Sequence, residues 1–178
     1  MVRTSRPHSN RWGITVSPEQ VRRNTKAGLN VRLQDYKHLG PEWDGQFDAV
    51  IANGSLEHFV QPADAAAGRD YAIYQHLFGT VHRLLDPDRH EAHFITTAIH
   101  FRGQRPNPFD WLKRPSDFQW SSPEFHWARL ARSFGRLYPI RGQQELCAEG
   151  VFRLVNEEDG TDDYRRTSEA WLEVVRKK

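Results

Sequence analysis

Only one cysteine, Cys147, occurs in the 178 residues. A disulfide within the chain is excluded, and so is a zinc site built from several thiolates. No run approaches the ~18 apolar residues that a membrane-spanning helix needs. The basic residues Arg3 and Arg6 are not followed by the apolar stretch of a secretory signal. A cytoplasmic protein is the expectation. Charge of one sign is scarce too: 25 Lys and Arg face 23 Asp and Glu, for a net charge of +2. A dedicated nucleic-acid binder carries a strongly cationic surface, so no nucleic-acid partner is expected.

Aromatic surface is what the chain has in quantity, with 6 Trp, 5 Tyr and 10 Phe. Mean hydropathy is low at −0.77, but disordered chains are poor in aromatic residues, so a packed core is expected. The length suits one domain. Residues 12–16 read as a strand, followed by Ser17-Pro18-Glu19-Gln20, a helix start with a serine cap, an early proline and an acid. That helix should reach Ala27 and end at Gly28. Strands are expected over 30–34, 47–52, 92–99 and 151–155, with a loop over 35–45. Apolar residues at helical spacing predict helices over 63–85, 122–133 and 162–175. Alternating strands and helices argue for an α/β fold with a mostly parallel sheet.

Four segments in this order carry a resemblance: Gly13-Ile14-Thr15-Val16-Ser17-Pro18-Glu19-Gln20, Val31-Arg32-Leu33-Gln34-Asp35-Tyr36, Phe47-Asp48-Ala49-Val50-Ile51-Ala52 with Glu57-His58-Phe59, and Asp163-Tyr164-Arg165-Arg166-Thr167 with Trp171-Leu172. The chain resembles the cyclopropane-fatty-acyl-phospholipid synthase family of class I S-adenosylmethionine-dependent methyltransferases. The likeness covers most of the chain and is weakest between Arg102 and Cys147. It implies a Rossmann-like methyltransferase sheet, mostly parallel and flanked by helices.

It also implies a site. Thr15, Val16, Ser17 and Gln20 match the family's turn against the cofactor, S-adenosyl-L-methionine. From spacing alone, Ser17 reads equally as a helix cap and Gln20 as a surface residue. Asp35 and Tyr36 match the positions beside the adenine, or else form a polar loop. Glu57 and His58 match a pair near the transferred methyl, where the family's glutamate helps to hold a bicarbonate that takes a proton. Glu57 can also be read as a carboxylate favoured at a helix start. The implied reaction transfers a methyl(ene) group to an unsaturated acyl chain of a phospholipid, a step in lipid biosynthesis. An unsaturated phospholipid, or another small-molecule acceptor, is the expected partner. Peripheral contact with the inner membrane would accompany a lipid substrate.

Certain family features are missing from the quoted residues. No Gly-x-Gly turn precedes Gly13, and Thr97-Ala98-Ile99 stands where the family often shows His-Thr-Ile. The chain therefore reads as a single partial methyltransferase domain over 1–178, lacking the glycine-rich first strand and the C-terminal end. Residues 1–11 are expected to be disordered, and 102–147 to form an insert or acceptor-side region. The aromatic and basic stretch 109–120 is the candidate lipid-facing surface, or the packing of that insert. A truncated or degenerate relative without activity is the alternative. His90, Glu91 and His93 fit no metal-ligand spacing, so no metal is expected. Cys147 is expected to be a buried structural residue.

Overall fold

The computed structural model describes residues 11–103, 113–134 and 138–177. Two parallel strand–helix–strand units follow one another. The first is β1 (Gly13–Thr15), α1 (Pro18–Lys26) and β2 (Val31–Leu33). β1 and β2 pair in parallel with Gly13 opposite Val31. Ser17 caps α1 by accepting from the Gln20 N–H at 3.3 Å, Pro18 stands in the first turn, and Gly28 ends the helix with φ +77°. That left-handed turn is one glycine adopts without a Cβ penalty.

Short 3₁₀ turns at Tyr36–His38 and Pro41–Trp43 lead to the second unit. It comprises β3 (Ala49–Asn53), α2 (Pro62–Ala66), α3 (Asp70–Leu84) and β4 (His93–Thr97). β3 and β4 are parallel, with Ile51 opposite Ile95. The single helix expected over 63–85 is two helices instead. Gly68 takes φ +68° between them, a conformation that breaks the helical ladder. α4 (Pro123–Phe134), α5 (Gln143–Ala148) and α6 (Thr161–Arg176) follow. α5 was not foreseen. The strand expected over 151–155 is absent; those residues have no regular structure, and 153–155 lie exposed.

The core is the inner face of α3. Tyr74, Leu77, Phe78 and Val81 recur at helical spacing and pack with Leu56, Val60, Ala65, Leu85 and Cys147. Val50, Ala52 and Phe94 lie against this cluster from the sheet. A second cluster, Leu39, Trp43 and Leu84, sits at the other end of α3. Cys147 is buried, its thiol donating to the Tyr71 carbonyl at 3.7 Å, and burial first, then the Asp70 charge, pushes it up to about 11.

The sheet is incomplete among the described residues. Its strands form two separate pairs, β1–β2 and β3–β4. The Gly13 N–H donates to Asn30 and the Gln34 N–H to Thr15, so Ile14 turns its own backbone groups to the opposite edge. Likewise His93 donates to Asp48 and Gly54 to Thr97, which turns the backbone groups of Ala49, Ile51 and Asn53 outward. No described strand pairs with either edge. On the face away from α3, Ile51 is 68% exposed and Ile95 51%. This is the α/β architecture of a partial Rossmann-like sheet. No residue of α6 is buried, so Tyr164, Trp171, Leu172 and Val175 form an uncovered apolar face. The expected disorder of residues 1–10, and Phe109, Trp111 and Leu112 of the candidate lipid-facing stretch, lie outside the described residues.

Candidate functional site

Strand ends carry most of the candidates. At the carboxyl end of β1, the Thr15 hydroxyl donates to the Gln20 side-chain oxygen at 2.5 Å and accepts from the Ser17 N–H at 3.2 Å. Ser17 Oγ in turn accepts from the Gln20 N–H. The three residues form one polar knot, made because the α1 cap folds the chain back over its own strand end. Val16, between Thr15 and Ser17, is 71% exposed.

Asp35 and Tyr36 follow β2. The Asp35 carboxylate accepts from the Lys37 N–H at 3.0 Å and so caps the first 3₁₀ turn. That turn aims the Tyr36 ring inward, where it meets Phe59 at 4.7 Å between centroids. The Tyr36 hydroxyl is buried without a hydrogen-bond partner among the described residues. Burial, and then the Asp35 charge, pushes its ionisation up to about 12.

Glu57 lies in the 3₁₀ turn Leu56–His58 after β3 and is only 4% exposed. The turn is pinned by Leu56, which is fully buried, and by the Tyr74 hydroxyl, which donates to the Leu56 carbonyl at 3.2 Å. One Glu57 oxygen accepts from the Ile99 N–H at 2.6 Å, beyond the end of β4. The other oxygen, Oε2, is buried with no partner among the described residues. His58 is exposed on the outer side of the same turn. The Tyr138 phenol is raised by burial first, then by Tyr164 and by the Glu57 charge, which places these groups in one electrostatic neighbourhood.

Phe59 brings the Tyr36 turn and the Glu57 turn together. Thr15, Ser17 and Gln20 bond among themselves and make no hydrogen bond to either turn. Ile99 was missed as the partner of Glu57. A backbone N–H has no sequence signature. His100, next to Ile99, turns its ring nitrogen to the Phe101 carbonyl at 3.3 Å. No cluster of His, Cys, Asp and Glu among the described residues has the arrangement to hold a metal ion, and none of the helices they form is long and apolar enough to cross a membrane.

A family model described as a methyltransferase domain matches residues 3–69. The matched stretch is less than half of the chain. It takes in β1, α1, β2, β3 and α2, and so includes every candidate site residue. No curated protein matches the chain.

The residues present fit S-adenosylmethionine on one side. Hydroxyls, an amide and a carboxylate at strand ends suit ribose hydroxyls and an amino-acid tail, and a ring suits a base. The unpartnered Tyr36 hydroxyl and Glu57 Oε2 are buried polar atoms of the kind that a ligand or water satisfies. None of the candidates at these strand ends, the cofactor ledge, lines either of two surface concavities. One is lined by Trp12, Arg32, Glu42, Trp43, Gln46 and Phe47, the other by Asp44, Gly45, His82, Arg83, Leu85 and Pro87.

Proposed function

We propose that this methyltransferase domain acts on an unsaturated acyl chain of a phospholipid, as its resemblance to the cyclopropane-fatty-acyl-phospholipid synthases implies. The observation that carries the reading is Glu57, a buried carboxylate with one oxygen fixed by the Ile99 N–H and the other unpaired. Bound S-adenosylmethionine would supply the electrophilic methyl group. Thr15, Ser17 and Gln20 would bind its polar tail and ribose, with Val16 against it. Asp35 and Tyr36 would take the adenine.

Glu57 then handles the proton. Its free oxygen is suited to accept from the O–H of a bicarbonate, which would remove a proton from the methylated chain. His58, exposed beside it, would face the acceptor. The exposed Trp120 near the start of α4 is one described member of the surface proposed to meet lipid. A lipid acceptor would bring the protein to the inner membrane face.

A second reading has its own support. Among the described residues no strand meets the outer edges of β1 and β3, as would suit a relative that binds but does not turn over. Methylation of vesicles containing an unsaturated phospholipid tests the first reading. Transfer of labelled methyl to the lipid, lost in Glu57→Gln, is expected. S-adenosylhomocysteine binding without transfer to any acceptor favours the second.

A further inference from the structure

Beside the amino end of β1, Trp12 and Trp43 clamp a cation. The Arg32 guanidinium lies 4.5 Å from one indole centroid and 4.7 Å from the other. The indoles meet edge to face at 5.9 Å, and Trp43 is near-parallel to Phe47 at 5.8 Å. Stacking uses the faces of a guanidinium and leaves its N–H donors at the rim. Arg32 has no ion-pair or hydrogen-bond partner among the described residues, although its position is fixed.

Glu42 lines the same concavity and also has no partner among the described residues. Its carboxylate lies back over Gly40: a Cβ added there would stand 2.2 Å from a Glu42 oxygen. An acid and an arginine thus share one space of ≈ 270 Å³ without pairing, over a floor of aromatic rings, with the Gln46 side chain beside them. A guanidinium and a carboxylate that face one space without pairing suit a heterocycle with one accepting and one donating edge.

We propose that this concavity binds a guanine nucleoside. Guanine offers O6 and N7 to a guanidinium fork, the common arginine–guanine pairing, and its N1–H and N2–H donors to a carboxylate. Adenine has no edge that accepts two bonds from one arginine. The net charge of +2 suits a free nucleoside rather than a polymer.

The test is calorimetric titration of the full chain with guanosine, adenosine and S-adenosylhomocysteine, with the indole N–H resonances of Trp12 and Trp43 followed by NMR. Saturable guanosine binding is expected, about tenfold or more tighter than adenosine, with both indole signals shifting. Arg32→Lys and Glu42→Gln should each weaken it by about tenfold, and Gly40→Ala should weaken it by moving the Glu42 carboxylate. Arg32 and Glu42 are exposed, so both variants should melt like the parent. No saturable guanosine binding, equal binding of adenosine, unchanged affinity in both variants, or displacement of guanosine by S-adenosylhomocysteine would each overturn the proposal.

Discussion

Glu57 is a buried carboxylate held by a single hydrogen bond, and such a group costs folding free energy unless something meets its second oxygen. Glu57→Gln keeps the acceptor for the Ile99 N–H but cannot take up a proton. Turnover should fall by about a hundredfold or more, while binding of S-adenosylhomocysteine is little changed. Unchanged turnover in a folded variant would remove Glu57 from the chemistry. Cys147 and Tyr36 set the alkaline limit. Burial raises both acids, to about 11 from 9.0 and to about 12 from 10.0. The folded chain keeps these protons where the unfolded chain has lost them, so stability falls as pH rises. Melting temperature should decline from about pH 9 towards 12, and Cys147→Ala should remove the lower part of that decline. A flat profile over this range would show that neither group is buried as described. The burial of Cys147 was legible in the sequence, because a lone free cysteine is commonly a small buried hydrophobe, and the place of Glu57 after β3 followed from the resemblance. The partner of Glu57 was not legible, because Ile99 contributes only its backbone.

Elements that bury a face read well from their periodicity, and those that do not bury one read poorly. α3 repeats Tyr74, Leu77, Phe78 and Val81 against the core, whereas α6 shows an equally regular apolar face with no buried residue. Pattern alone does not distinguish them, since covering a face depends on residues remote in the chain. Their energetics should differ sharply. Leu77→Ala should cost about 2–5 kcal/mol by leaving a cavity, and Trp171→Ala, 61% exposed, within about 0.5 kcal/mol. Urea unfolding of both variants checks this. A large loss for Trp171→Ala would mean that something covers α6. The break at Gly68 was missed because the apolar spacing runs on through it. Gly68→Ala should destabilise by about 1 kcal/mol or more, because φ +68° penalises a Cβ.

At the scale of the molecule, two parallel strand pairs each present an open edge. Their outward backbone groups, at Ile14 on one and at Ala49, Ile51 and Asn53 on the other, are those a further strand would meet. The α/β class and the parallel direction followed from the alternation of elements. The separation into two pairs was not legible, because which strands meet depends on residues remote in the chain. The candidate residues lie at the strand ends of both pairs, so the proposed cofactor binding would depend on how firmly the two pairs hold together. Tyr36 against Phe59 and His76, and Trp12 against Trp43, are among the contacts that join them.

Thermal unfolding of the purified chain with and without excess S-adenosylhomocysteine tests the cofactor ledge most directly. At about 100 times the dissociation constant a ligand stabilises its site by about 2.7 kcal/mol. A cooperative transition that moves upward with the ligand, and moves less in a Thr15→Ala, Gln20→Ala double variant, is the expected result. A cooperative transition that the ligand leaves in place would be decisive against a cofactor site at these strand ends.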